Sequence, residues 1–307
     1  IGDAAWEQSF AEYQETPEYQ LVNSGMSLGE YQRIFYYEWA HRLIARIAGL
    51  LVIVPLFLFI RRGLLTWRTS LRYWGIAALF GIQGAIGWIM VASGLRDRPV
   101  VSHLRLTIHL MVALALLGIA LWMTLDRMRT ARREEAADPV ARAGPARAWA
   151  WVLLGTVVVQ IAYGGLVAGL KAGYLSNTWP FMFGRLVPEG LTAKEPLWMN
   201  LIEPLTSHWV HRWLAFVVVA AALAVFVAVR RDHSSGSGVR AATVWLLVVV
   251  AAQVTLGIYV VLLGVPKWFA LSHQGLGVAV FCIALVITHQ SQARSAAAEV
   301  AAAPLNV

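Results

Sequence analysis

Seven apolar runs, at 38–60, 73–95, 103–125, 149–170, 205–229, 239–262 and 268–288, dominate this sequence. Each reaches the roughly 20 residues that a helix needs to cross a bilayer. A backbone that leaves water must satisfy its N–H and C=O groups internally, so runs of this length fold as helices. The fold class expected is an all-α membrane protein. Composition agrees: 59% of the 307 residues are hydrophobic and only 14% are charged, with 14 Trp and a mean hydropathy of +0.62.

The net charge of +8 would suit a nucleic-acid partner if the basic residues formed a patch, but they do not. Arg61, Arg62, Arg68 and Arg72, then Arg127, Arg129, Arg132, Arg133, Arg142 and Arg147, then Arg230, Arg231, Arg240 and Arg294 all fall between alternate spans or in the tail. They make 14 of the 25 basic residues, whereas the opposite loops hold seven: Arg33, Arg96, Arg98, Lys171, Arg185, Lys194 and Lys267. Basic loops stay cytoplasmic, so the excess is a topology signal and membrane lipid is the partner. The Ala- and Arg-rich loops suggest a GC-rich bacterium, whose inner membrane is the expected location.

The orientation divides the chain into a 1–37 extracytoplasmic segment, a 38–125 half-bundle, a 126–148 cytoplasmic linker, a 149–289 four-helix bundle and a 290–307 cytoplasmic tail. The first of these is polar and aromatic, with Trp6, Phe10, Tyr13, Pro17 and Tyr19 among five glutamates, and lacks the pattern of a signal peptide. Carrying it outside requires something upstream, so a further span is expected before Ile1. A repeat leads the same way. Gln83, Gly87 and Gly94 recur as Gln253, Gly257 and Gly264, and each glutamine lies 42 residues after a histidine, His41 or His211. Repeats about an axis normal to the membrane are common in such proteins. Two pseudo-symmetric transmembrane four-helix bundles are expected, with seven of the eight spans in this chain. The glycine groups Gly81, Gly84, Gly87 and Gly164, Gly165, Gly169 are expected to let helices approach closely.

Of eight histidines, His233 lies in a Ser/Gly loop and His289 at the cytoplasmic end of the last span, where both are expected to be solvated. The others lie on spans running from outside to inside. His41 is 20 residues before Arg61, His211 is 19 before Arg230, His109 is 17 before Asp126 and His273 is 16 before His289. At about 1.5 Å per residue, these four stand within roughly 6 Å of one depth, in the outer leaflet. A histidine in a membrane helix also serves as a hydrogen-bonded packing residue, but four at one level, paired by a repeat, favour ligation. Zinc needs four N, S or O ligands, and few other such side chains are near. Two imidazoles alone suit a haem, which brings four nitrogens of its own and fills a bundle interior.

His41 with His109, and His211 with His273, are therefore the expected iron ligands. Spacing alone offers His103 instead of His109, because the 62 residues between His211 and His273 carry His41 onto His103. Depth favours His109 and leaves His103 as the runner-up. Arg42 and Arg212 stand beside the first ligand of each pair, where either propionates or lipid phosphates suit a guanidinium. Three residues before those ligands, hence on the same helical face, the halves differ: Glu38 in one, His208 in the other. A carboxylate beside a porphyrin can take protons or steady positive charge. The first half then reads as the reacting site and the second as the seat of a permanent haem. The structural alternative for Glu38 is a carboxylate favoured by a helix start.

Tyr31-Gln-Arg-Ile-Phe-Tyr-Tyr-Glu-Trp-Ala-His-Arg42, Gln83-Gly-Ala-Ile-Gly-Trp-Ile-Met-Val-Ala-Ser-Gly-Leu95, Val101-Ser-His-Leu-Arg-Leu-Thr-Ile-His-Leu110, Ala168-Gly-Leu-Lys-Ala-Gly-Tyr-Leu-Ser-Asn-Thr-Trp-Pro180 and Ser272-His-Gln274 resemble the haem A synthase family, in its alphaproteobacterial and mitochondrial form. The likeness runs through nearly the whole chain. It implies an oxidoreductase that converts the C8 methyl of haem O, through a hydroxymethyl stage, to the formyl of haem A for cytochrome oxidase. It also implies His41 and His109 on the substrate haem, His211 and His273 on a haem b cofactor, and Glu38 as the catalytic residue. Eight spans belong to the family pattern, and the expected upstream span would be the first.

Haem O synthase and cytochrome oxidase assembly factors are the partners implied, and a homo-oligomer is compatible with the pattern. Cys282, the only cysteine, lies in the last span, so the paired external cysteines of the Bacillus-type branch are absent. His208 is left open as an alternative ligand. Phe181, Met182, Phe183 and Trp198, after the Asn177-Thr178-Trp179-Pro180 segment, suit either a lid over the second haem or an interfacial belt. The competing readings are a di-haem cytochrome b-type electron carrier, which has matched histidines without a reaction, and a haem or quinone transporter.

Overall fold

The computed structural model describes residues 2–94, 102–135, 146–232 and 235–302; Arg96, Arg98, Arg142 and His233 lie outside the described residues. The chain is α-helical: α1 Asp3–Gln14, α2 Pro17–Leu21, α3 Leu28–Arg61, α4 Trp67–Gly94, α5 His103–Glu135, α6 Ala146–Gly169, α7 Pro204–Arg231, α8 Ser237–Leu262 and α9 Lys267–Ala302. Short 3-10 turns occupy Ala172–Tyr174 and Leu197–Ile202. Among the described residues the only β pairing is an isolated bridge between Met182 and Arg185. Among the described residues seven helices, α3 to α9, are long and apolar enough to cross a membrane. Packing divides the chain into Ile1–Leu116 and Leu117–Val307, with the division inside α5.

In the first unit α3 begins ten residues ahead of its apolar run. Ser27 caps it: its hydroxyl accepts from the Glu30 amide, and the Glu30 carboxylate accepts from the Ser27 amide at 2.9 Å. Such reciprocal caps satisfy two amides that a helix start leaves unpaired. Glu38 consequently sits in the third turn, and the helix-start account of that carboxylate falls away. The other end closes at Gly63, whose φ of 69° lets the Leu64 amide reach the Phe59 carbonyl at 2.9 Å.

The polar, aromatic start of the chain folds back on α3. Trp6 is buried, with its ring 5.0 Å from Phe35 and 5.5 Å from Tyr36, and Tyr13 stacks on Tyr31 at 4.9 Å. Hydrogen bonds tie the cluster: Ser9 to the Tyr31 hydroxyl at 2.8 Å and Asn23 to the Tyr13 hydroxyl at 2.7 Å. Within this cap, burial and then the charge of Glu38 push the Glu18 carboxyl above its ordinary 4.5, against a hydrogen bond with Tyr13. A raised value means that the folded cap binds the proton more tightly than the unfolded chain. The stability is complete below the ordinary value and is lost as pH rises through the elevated one. Glu18→Gln is expected to slow proteolysis of residues 1–27 at neutral pH and to change nothing near pH ~4. Equal protection of variant and wild type at both values would contradict this.

In the second unit α6, α7, α8 and α9 pack in a ring, α6 against α7 and α9, and α8 against the same two. That order sets α7 and α9 across the diagonal. Leu153, Val225, Leu246 and Ile287 are fully buried between them. At the end that carries the arginines, His289 is 3% exposed, shares a 2.8 Å hydrogen bond with Asp126 and rests edge-on against Trp122 at 4.9 Å. The expectation that His289 is solvated is overturned. α9 continues past it as helix to Ala302, and α5 carries Asp126 to meet it.

Candidate functional site

His211 on α7 and His273 on α9 reach toward one another across the diagonal, with ring centroids 6.3 Å apart and planes at 79°. Each ring rests on the preceding helix. The Nδ1 of His211 donates to the Gln160 carbonyl at 3.2 Å, and the Nδ1 of His273 donates to the Gln253 carbonyl at 3.1 Å. A proton committed at Nδ1 puts the lone pair on Nε2, where a metal can take it; at His273 the long 3.4 Å contact from the Gln253 amide to Nε2 would have to yield to the metal. Two such bonds of about 2 Å each, made to one metal from opposite sides, put ring centroids about 6 Å apart, which matches the observed spacing. Among the described residues no group of three His, Cys, Asp or Glu side chains gathers. The donor set fits an iron porphyrin, which brings its own equatorial nitrogens.

The glycines beside these rings have a role that close helix packing does not describe. A Cβ on Gly164 would stand 3.2 Å from Cε1 of His211, and one on Gly257 would stand 2.7 Å from Cε1 of His273. Gly87 has the same relation to His109, at 3.0 Å. These three make room for imidazoles, whereas Gly81 and Gly84 face open space. Gln160, and the part Gly164 plays beside a ring, escaped notice in the sequence; the signal was the four-residue step that they share with Gln83–Gly87 and Gln253–Gly257.

Arg212, one residue after His211, is buried and largely committed to the connection between α6 and α7. Its Nη1 donates to the Thr178 carbonyl at 2.7 Å and its Nη2 to the Ser176 carbonyl at 3.0 Å. Its Nε donates to Nε2 of His208 at 3.0 Å. The lone pair that His208 would need as an alternative ligand is therefore engaged, and His208 belongs to the clamp. Trp209 adds a bond from Nε1 to the Leu186 carbonyl at 2.8 Å. Met182 is buried under this loop, while Phe181, Phe183 and Trp198 are exposed, as a belt would have them.

Hydrogen bonds from a charged donor contribute about 1.5–3 kcal/mol each. Arg212→Gln is therefore expected to accelerate proteolytic cleavage between 176 and 183 by at least about tenfold. Cleavage at the wild-type rate would refute the clamp.

In the first unit His109 stands over Gly87, and Gln83 donates from Nε2 to its backbone carbonyl at 3.0 Å. His41 lies within electrostatic reach of His109 and is exposed on α3 within this unit. His103 stands in the first turn of α5, with its carbonyl accepting from Thr107 at 2.8 Å. Of the two candidates on α5, His109 has the surroundings of His273. Glu38 and Arg42 form an i,i+4 ion pair on α3, each side chain about half exposed.

Fold and site together define a polytopic helical membrane protein with opposed imidazoles seated on diagonal helices. A family model described as cytochrome oxidase assembly protein matches residues 1–285, and the chain belongs to that family. It is 38% identical over 291 residues to the heme A synthase of Rhodopseudomonas palustris (strain BisB5), covering 93% of this chain and 77% of the relative. With the heme A synthase of Chelativorans sp. (strain BNC1) it shares 42% identity over 281 residues, 91% of this chain and 76% of the relative. The corresponding protein of Sphingopyxis alaskensis is 36% identical, over 98% of this chain and 82% of its own length.

Proposed function

We propose that this protein is a haem-dependent membrane oxidoreductase of haem A biosynthesis, oxidising the C8 methyl of haem O through a hydroxymethyl to the formyl of haem A. Its relatives' shared activity supports the reading, and the observation that carries it is the His211–His273 pair, 6.3 Å between centroids with both Nδ1 protons on backbone carbonyls. In this reading the pair holds haem b, which when bound supplies one-electron transfer.

His41 and His109 hold the substrate haem O, whose farnesyl tail favours arrival from lipid. Methyl plus water gives hydroxymethyl with release of two protons and two electrons, and hydroxymethyl gives formyl with release of two more of each. The electrons leave to an external acceptor that haem b would serve, and their loss from a carbon conjugated with the ring builds positive charge there. Glu38 takes the proton or steadies the charge, and Arg42, its ion-pair partner one turn on, orients it. Arg42 also meets a propionate at the outer end of α3. Arg212 has one N–H beyond those bound to the loop and His208, and offers it to a propionate of haem b. The arginine-rich loops face the cytoplasm, and haem O synthase and oxidase assembly factors are the partners.

The test is pigment extraction and chromatography after the purified protein has been supplied with haem O. Haem A is the expected product, with haem b retained. Recovery of haem b and unaltered haem O would instead support an electron carrier.

A further inference from the structure

Three Gln-to-Gly steps of four residues stand on three helices, and a histidine of the next helix rests on each: His109 on α4, His211 on α6 and His273 on α8. We propose that these steps are ligand holders that seat each iron-binding histidine, committing the Nδ1 proton of His211 and of His273 to a backbone carbonyl and leaving Nδ1 of His109 uncommitted. The inference rests on the haem reading given above and extends it to residues that touch no haem.

The geometry follows from the helix. The carbonyl of residue i points toward residue i+4, and a side chain there screens it from a neighbouring helix. With glycine at i+4 an imidazole can lie flat enough on the backbone to donate its Nδ1 proton to that carbonyl. His211 does so at 3.2 Å over Gly164, and His273 at 3.1 Å over Gly257. The glutamine side chain ties the histidine back. Gln160 donates from Nε2 to the His211 carbonyl at 2.9 Å, so the ring and the carboxamide exchange hydrogen bonds between α6 and α7.

On the α8–α9 side, a Cβ on Gly277, one turn beyond His273, would stand 3.3 Å from Gln253 Nε2. A second glycine thus opens the partner helix to the amide. Supporting bonds to a ligand's far nitrogen raise its basicity and fix its orientation, and their loss costs about 10–100-fold in metal affinity.

In the first unit Gln83 reaches both the His109 carbonyl, at 3.0 Å, and the ring's Nε2, at 3.3 Å, but among the described residues Nδ1 of His109 is buried without a hydrogen-bond partner. A ring with no acceptor at Nδ1 is a weaker donor and has no fixed tautomer. That suits a haem that must arrive and leave, as a committed Nδ1 proton suits one that stays.

The experiment uses the full chain purified with its haem and compares Gly164→Ala and Gly257→Ala with Gly155→Ala, a control on α6 whose Cβ would meet nothing within 4 Å. Gly164→Ala is the milder change, at 3.2 Å against 2.7 Å, and keeps the test open should Gly257→Ala fail to fold. In Gly257→Ala the ring must shift off its seat, and in Gly164→Ala it must give by a few tenths of an ångström, stretching a bond that is already 3.2 Å long. The expected results are a raised midpoint potential, since the ferric iron loses donor strength, a changed low-spin electron paramagnetic resonance signal, and loss of haem b to a scavenging apoprotein about 10–100-fold faster. Gly155→Ala should match wild type. Holder variants that keep the wild-type potential, resonance and retention would overturn the inference while leaving the haem reading intact. A wild-type protein that carries no b-type haem would instead defeat the reading on which it rests.

Discussion

Replacing His211 with alanine is expected to remove the b-type absorption of the purified protein. The ligand itself is lost, so the effect should exceed the roughly 10–100-fold that a missing supporting bond costs. His273 should behave alike, because the two rings face one another at 6.3 Å and the proposed haem needs both. His41→Ala should leave that absorption in place and reduce occupancy by haem O. The contrast between the two units is what the optical spectra would measure, and an equal loss in all three variants would deny separate sites. Neither His211 nor His273 is part of the tightly packed interior formed by Leu153, Leu246 and Ile287, so helix content measured by circular dichroism should survive.

Glu38→Gln is expected to lower the conversion of haem O by about 10²–10⁴-fold, the usual worth of a positioned proton acceptor. The amide keeps the shape of the side chain and removes its charge. Folding is not at risk, because the Glu38–Arg42 pair is about half exposed and such pairs contribute about 0–1 kcal/mol. Substrate binding, read by optical titration with haem O, should change far less than turnover. Conversion at the wild-type rate would show that the carboxylate has no chemical part.

Much of this was legible in the sequence because lipid leaves the backbone few choices. The seven spans came from length and polarity, and their ends shifted mainly where polar residues carry helix beyond the apolar run, as Ser27 and Glu30 do for α3. Depth counting singled out His41, His109, His211 and His273, since helical rise is constant. It could not see which way a ring turns, so the bonds from His211 and His273 to backbone carbonyls were hidden.

The burial of His289 was missed because its partner Asp126 is far away in the chain. The loop carbonyls that hold Arg212 were hidden too, since a lone arginine at a span end carries no sign of partners more than thirty residues earlier in the chain. Gln160, and the part Gly164 plays beside a ring, were readable only after the two copies of the same step had been given a purpose.

The most direct test of the account is electron paramagnetic resonance of the oxidised, purified protein. Two imidazoles on one ferric iron, with planes near the observed 79°, predict a highly anisotropic low-spin signal that His211→Ala and His273→Ala each abolish. In protein freed of haem O, a high-spin signal in the wild type, or a low-spin signal that survives both substitutions, would contradict the claim that these two histidines sandwich a haem.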